Sequence, residues 1–319
     1  MTRNILVPAV ALLLFFIYQF AAGNVFYAHI LVMAAINTVL ISGISLVART
    51  GRLSFGHAAF AAISAYVCAI LTTTYGVSWA LAAIAGISAA AIVAYLLGSV
   101  IVKCRGVYFV LVTFAFAEFI RLALLEFPSV TGGASGLSGI APLSIGVFTL
   151  EGVNQWLIFS VLFCGVLTFL INRFFKTASG KEYLSVNDNP DLAESTGINV
   201  ASVQLASFVA GGAITGFGGI LMSTYIEFIS PESFNIHLSI TLVTMLVIGG
   251  VNSSWGPLVG AIFLTPLPEI LRGAQEYQHL SYGIVLVVIL MMRPKGLVSV
   301  FSSLSSAPFV FNKKEKKNA

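Results

Sequence analysis

Charge is scarce in this chain. Lys and Arg number 16 and Asp and Glu 12, so that 9% of the 319 residues are charged, against roughly 25% in an average soluble domain. Hydrophobic residues make up 58%, and the mean hydropathy is +0.98. A water-soluble fold of this length has no interior large enough for that much apolar surface, which excludes it. In/out alternation is missing too. The apolar runs are about 20 residues long without a period of two, which excludes a closed β-barrel and leaves helices as the spanning structure. Cysteine is rare, and Cys68, Cys104 and Cys164 lack metal-ligand spacing, so they read as small hydrophobes. The four histidines, His29, His57, His237 and His279, are scattered with no H-E-x-x-H pattern, which argues against an intramembrane metalloenzyme. No G-x-x-x-x-G-K-[ST] occurs. The stretch "TGGASGLSG" (131–139) lacks both that spacing and a lysine, so the chain has no nucleotide site and no ATP hydrolysis of its own.

What is present is a series of apolar runs. They fall at 5–22, 25–48, 53–75, 78–102, 107–127, 153–172, 201–222, 238–250, 257–271 and 281–292, separated by charged or Gly/Pro-rich breaks. The first follows Arg3 as a signal peptide would, but it is too long and too uniformly apolar, and is read as a span. The last three are shorter than a bilayer needs; they are tilted, extended into their flanks, or paired half-helices. The expected fold is all-α, a polytopic transmembrane bundle of about ten spans, with eight or nine also compatible. It forms a single transmembrane domain over 1–319, with a polar connection at 174–200 and a basic tail at 301–319.

Placement of charge gives the topology. With a cytoplasmic amino terminus, 14 of the 16 basic residues lie at cytoplasmic ends: Arg3, Arg49, Arg52, Lys103, Arg105, Arg173, Lys176, Lys181, Arg293, Lys295 and four lysines of the tail "NKKEKK". Only Arg121 and Arg272 fall elsewhere. The outward segments 128–154 and 223–237 hold no Lys or Arg, so the positive-inside rule puts both termini in the cytoplasm.

One stretch departs from the rest. "SVNDNPDLAESTGINV" (185–200) lies in the longest cytoplasmic connection and is polar and acidic. Asn189 is an amino-terminal cap, Pro190 suits the first helical position, and Asp191 complements the positive end of the helix dipole. Gly197 ends the helix with a left-handed residue, and Asn199 starts the next span. About two turns result, too short to be stable alone. The stretch is either a solvated linker with good caps or a docking element for a cytoplasmic protein, and definition at both ends favours docking.

Several blocks then resemble a known family. "VNDNPDLAESTGINVASVQLASFVAGGAITGFGG" is similar to the cytoplasmic-loop signature of LivM-type permease subunits of bacterial ABC importers for branched-chain amino acids. Ala193 and Gly197-Ile198-Asn199 carry its A-x-x-x-G-I-N pattern. "GRLSFGHAAFAAISAY" (51–66), "RGVYFVLVTFAFAEFIRL" with "TGGASGL" (105–137), and "VIGGVNSSWGPLVGA" with "MMRPKGL" (247–261, 291–297) match in the same order. Arg52 stands where the family usually has Gln, Ser64 where it has Gly, and Asn252 where it favours a third Gly. The resemblance implies a multi-pass protein of the bacterial inner (plasma) membrane that imports leucine, isoleucine and valine. It implies as partners a homologous second permease, two ATPase subunits and an extracytoplasmic solute-binding protein. No cofactor is expected beyond the ATP those subunits use. The coupling element would be Asn189, Pro190, Asp191, Ala193, Glu194, Gly197, Ile198 and Asn199. Relatives handling urea or short amides leave the solute open, and an ion-coupled carrier is the alternative from another transport class. Against the carrier, only Glu118 is a carboxylate clearly within a span.

Three further features stand out. Glu118 and Arg121 lie three residues apart in the fifth run, where each alone costs roughly 2.5–3.5 kcal/mol on insertion scales. They either line the solute path or form an internal ion pair. Gly212, Gly216, Gly219 and Ser223 form a small-residue stripe, read as a surface for close helix packing, against this chain or a second subunit, rather than as an unwound segment offering backbone groups to a solute. "GGVNSSWGPLVGA" reads as a tight buried turn, and His57 as a hydrogen-bonded structural residue rather than a proton relay.

Overall fold

A computed structural model describes residues 24–104, 106–145 and 148–267, together with 283, 284, 287, 291, 297 and 298. The run expected at 5–22, most of that at 281–292, the end of the run at 257–271, the tail at 301–319, and Arg105 and Arg272 lie outside the described residues.

Helices dominate. They are α1 (Val25–Ala48), α2 (His57–Thr73), α3 (Trp79–Ile101), α4 (Val107–Glu126), α5 (Pro128–Thr131), α6 (Val153–Phe174), α7 (Ala178–Asp188), α8 (Pro190–Ser195), α9 (Val200–Ile226), α10 (Ile236–Gly249) and α11 (Gly256–Leu264). Among the described residues, six are long and apolar enough to cross a membrane: α1, α3, α4, α6, α9, and α10 taken with the turn before it; α2 is apolar but shorter. The expected boundaries at 25–48, 78–102, 107–127 and 153–172 agree with the helices to within a few residues. Long unbroken runs with polar breaks are the strongest local signal a membrane sequence carries. The run at 238–250 is short because its helix is preceded by a 3-10 turn, Pro231–Phe234, so the apolar segment extends into its flank.

Among the described residues, four two-residue strands qualify the all-α expectation. β1 (Leu137–Ser138) pairs antiparallel with β4 (Phe228–Ile229), Leu137 opposite Ile229, and β2 (Ser144–Ile145) pairs with β3 (Phe148–Thr149). Segments this short carry no readable alternation, and their partners are set by tertiary contact. The "TGGASGLSG" stretch is thereby built into the fold, through α5, a 3-10 turn at Gly133–Ser135 and β1.

The bundle is organised around α9, which packs against α1, α2 and α3; α6 and α11 lie against α1, and α4 against α2. Close approach is what its glycines permit. A Cβ on Gly219 would fall 2.3 Å from the Ala61 carbonyl oxygen, and one on Gly216 3.0 Å from the Ala90 Cβ and 3.1 Å from that of Ser64. Ser223 is buried on the same helix. The helices facing Gly212, Gly216 and Gly219 are thus α2 and α3 of the same chain. A second face, absent from the sequence reading, meets α1: Thr215 Oγ1 donates to the Leu40 carbonyl at 3.1 Å, and a Cβ on Gly43 would lie 2.3 Å from the Gly211 carbonyl oxygen. Lipid supplies no hydrophobic drive between helices, so interlocking small residues and buried hydrogen bonds hold this centre together. Trp79 Nε1 donating to Thr224 Oγ1 at 3.1 Å and Asn37 Nδ2 donating to Thr265 Oγ1 at 3.0 Å belong to the same set.

The breaks rich in basic residues gather at one end. Arg52 Nη2 donates to the carbonyl of Val102 just after α3, and Arg49 reaches the α10–α11 turn through Val251 and Ser254. Residues 174–199 lie at this end, next to Gly51 through Asn187. β1, β4 and the 3-10 turn at Pro231–Phe234 form the opposite end.

Candidate functional site

The polar connection between α6 and α9 is a structured element of two helices. Only the second was legible in the sequence. α7 was missed because its signature is a cap and three spaced residues rather than a run: Thr177 Oγ1 accepts from the Gly180 amide at 3.2 Å, and Gly180, Tyr183 and Val186 are buried at spacing i, i+3, i+6. That face joins a cluster of Leu46 from α1, Ile171 and Phe175 from the end of α6, Ala193 from α8 and Val203 from α9. Phe174, Phe175 and Tyr183 meet edge to face with centroids 5.2–6.1 Å apart, a geometry that adds to simple burial. Burial, and secondarily the Glu182 carboxylate, push the Tyr183 hydroxyl above its usual range, so it stays neutral.

α8 is defined at both ends. Asn189 Oδ1 accepts from the amides of Asp191 at 3.1 Å and Leu192 at 3.0 Å, and Pro190 occupies the first turn. At the other end Ile198 N–H donates to the Ala193 carbonyl at 3.1 Å and Gly197 N–H to that of Glu194 at 3.0 Å. This is a Schellman closure, made possible by the positive φ of 90° at Gly197. Asn199 Oδ1 then accepts from Ser202 N–H at 3.0 Å and caps α9. Six residues cannot hold a helix by propensity; here caps and one anchor do so. Ala193 is the anchor, the sole buried residue of α8. Asp191, Glu194, Ser195 and Thr196 are exposed, and Leu192 is 62% exposed at their centre. The element offers an apolar tip in an acidic rim, fixed to the bundle by its base.

Glu118 and Arg121 are brought together, as their spacing predicts. Arg121 Nε donates to both Glu118 oxygens at 3.0 Å, and its Nη2 donates to Oε1 as well. The structure adds Glu232, from the 3-10 turn 111 residues away, which accepts from Arg121 Nη1 at 2.5 Å. One guanidinium therefore serves two carboxylates and ties α4 to the connection between α9 and α10. Removing Arg121 leaves two carboxylates facing each other. Arg121→Met is expected to destabilise more than the double variant Arg121→Met/Glu118→Gln, by about 1 kcal/mol because the side chains are partly exposed. Thermal unfolding in detergent measures the order, and equal losses would argue against a mutually compensating group.

His57 is buried, with Nδ1 3.0 Å from Ser54 Oγ and its ring edge-on to Phe60 and Phe208. That is a packed position, and among the described residues its Nε2 has no hydrogen-bond partner. Cys68 and Cys164 are buried and unpaired, and among the described residues no group of His, Cys, Asp and Glu has metal-binding geometry.

The branched-chain amino acid transport system / permease component family matches residues 26–292, which takes in α1, the two-helix connection and the α10–α11 turn. The high-affinity branched-chain amino acid transport system permease protein LivM of Escherichia coli K12 is 31% identical over 79% of this chain and 65% of its own length. LivM of Salmonella typhimurium LT2 is 30% identical over 83% and 68%. The L-arabinose ABC transporter permease protein AraH of Azospirillum brasilense is 25% identical over 76% and 71%. The chain thus spans about two thirds of the length of the curated relatives it matches, and a little less for the first. No solved structure matches. A match running through every helix of the bundle core and through the capped loop places this multi-pass membrane protein in the branched-chain amino acid transport permease family.

Proposed function

We propose that the chain is the membrane-embedded permease of an ATP-binding-cassette importer in the bacterial inner membrane, carrying branched-chain amino acids into the cytoplasm. Both termini and the α7–α8 connection face the cytoplasm in this reading, in a bundle of about ten spans. The single observation that carries it is the doubly capped α8, which holds exposed Leu192 in an acidic rim at the end of the bundle where the basic residues gather. A chain without a nucleotide motif needs an external source of work, and a short rigid knob seated in an ATPase subunit supplies the contact. Closure of two such subunits on ATP would push α8. α9, continuous from Asn199 onward, would tilt with it, so that access to the midplane alternates. A homologous second permease and an extracytoplasmic binding protein complete the assembly, and the chain itself needs no cofactor.

The solute assignment rests on the greater identity to LivM than to the arabinose permease, 31% against 25%. Uptake of labelled leucine by cells or proteoliposomes carrying the whole assembly tests it. Uptake should stop on ATP depletion and persist when the proton gradient alone is collapsed. The reverse pattern would establish an ion-coupled carrier, and labelled urea or arabinose displacing leucine would move the solute class.

A further inference from the structure

Arg49 sits at the carboxyl-terminal cap of α1 and is 2% exposed, the largest of the fully buried side chains. It touches two separate pieces of the protein. Nε donates to the Val251 carbonyl and Nη1 to Ser254 Oγ, each at 3.3 Å, both in the α10–α11 turn. The guanidinium carbon lies 4.1 Å from the centroid of the Phe175 ring, at the end of α6. Phe175 in turn packs in the cluster that anchors α7 and α8 through Tyr183, Val186 and Ala193. Nη2 is buried without a hydrogen-bond partner among the described residues.

A buried guanidinium with one orphaned nitrogen is a poor way to add stability, since an apolar residue of similar volume often does as well or better. What it does provide is directional attachment. The ring face and the two acceptors constrain it from different sides, so displacement of one moves the other. The turn it holds has no slack. A Cβ on Gly249 would fall 1.9 Å from the Gly256 carbonyl oxygen, and one on Gly256 2.1 Å from that of Gly250. A pull on Val251 and Ser254 therefore moves the facing ends of α10 and α11 as a unit. α11 also packs on α1, so the displacement enters the centre of the bundle by a route separate from α9.

We propose that Arg49 is a positioning residue that transmits movement of the α7–α8 loop, through Phe175, to the α10–α11 turn. The inference rests on the docking role proposed for that loop. It adds that the loop drives two parts of the bundle, α9 by direct continuation and α10–α11 through this guanidinium.

The test uses the complete transporter in proteoliposomes, with ATP hydrolysis and leucine uptake measured on the same preparation. Arg49→Met is expected to keep the ATPase subunits bound and hydrolysing while solute moved per ATP falls by about tenfold, the size of a typical coupling between sites. Arg49→Lys, which keeps a charge and a donor, should recover part of that ratio. Nitroxide labels at exposed Ser185 and Asn252 should give one narrow distance in the native chain and a broadened one in Arg49→Met. Hydrolysis and uptake falling together in proportion, or an unchanged ratio with an unchanged distance, would overturn the proposal. Should Arg49→Met fail to accumulate, Ser254→Ala and Phe175→Leu each remove one arm. A lower ratio in either sustains the link, and no change in both overturns it. If the native chain binds no ATPase, the docking reading fails instead, while the label distances still report whether Arg49 joins loop and turn.

Discussion

Replacing residues 190–195 by a Gly/Ser stretch of equal length should yield a protein that inserts and folds but no longer moves solute on ATP. The stability cost is small because α8 buries only Ala193; losing that contact and the helix cap is worth about 1–2 kcal/mol in all. The functional loss is large because the replacement removes the apolar tip and the rigid base together. Contacts of that kind, a central exposed apolar residue in a polar rim, carry about 2–3 kcal/mol of binding, which corresponds to about a hundredfold in affinity for a partner. Uptake of labelled leucine should fall by that order at unchanged expression and with an unfolding temperature lowered by only a few degrees. Asn189→Ala, which only unfastens the first turn, should give an intermediate loss. Normal uptake by the Gly/Ser variant at normal expression would remove α8 from the mechanism.

Gly219→Val is expected to have the largest effect on folding of any single substitution considered for this chain. The first carbon of the new side chain would lie 2.3 Å from the carbonyl oxygen of Ala61 and 2.7 Å from its Cα. Both are backbone atoms of α2, which cannot swing aside as a side chain does, so α2 and α9 must part. Overpacking usually costs about 1–3 kcal/mol, and this case sits at or above the upper end because it acts on two rigid helices. Little protein should accumulate, with a clear drop in detergent unfolding temperature for what does. Gly165 on α6 is the control: a Cβ there meets nothing within 4 Å. Gly165→Ala should be neutral or stabilising, since alanine is favoured over glycine in a helix by about 1 kcal/mol. Similar behaviour of the two variants would mean that the close approach of α2 and α9 is not a determinant of the fold.

The parts of this protein that sequence reading recovers are those written locally. Span boundaries follow from run length, the caps of α8 from Asn189, Pro190 and Gly197, and the Glu118–Arg121 contact from spacing on one helix. The parts it misses need two distant segments to be known at once. Glu232 completes the Arg121 group from 111 residues away, and nothing around "SPESF" marks it except that a loop with no basic residue holds an acid. Arg49 was counted only as one of the cytoplasmic charges, although it is among the most buried side chains of the molecule. The second glycine face of α9 is hidden for another reason: Gly211, Thr215 and Gly218 lie between the members of the first stripe, and only their partners on α1 separate the two. α7 went unread because a capped, half-buried helix of mixed polarity has no long run to announce it. The functional roles of the loop residues are a different matter, since caps reveal rigidity and not its purpose.

α9 has 27 residues, a length of about 40 Å at 1.5 Å per residue. It starts at the cap set by Asn199 beside the loop and ends at β4, whose Phe228 and Ile229 hold the stretch after α4. An uninterrupted rod gripped near its middle, at Gly212 and Gly216, behaves as a lever: tilt imposed at one tip reappears at the other with its sense reversed. A fluorophore near Phe228 would then register a displacement made at the opposite tip, beside Asn199.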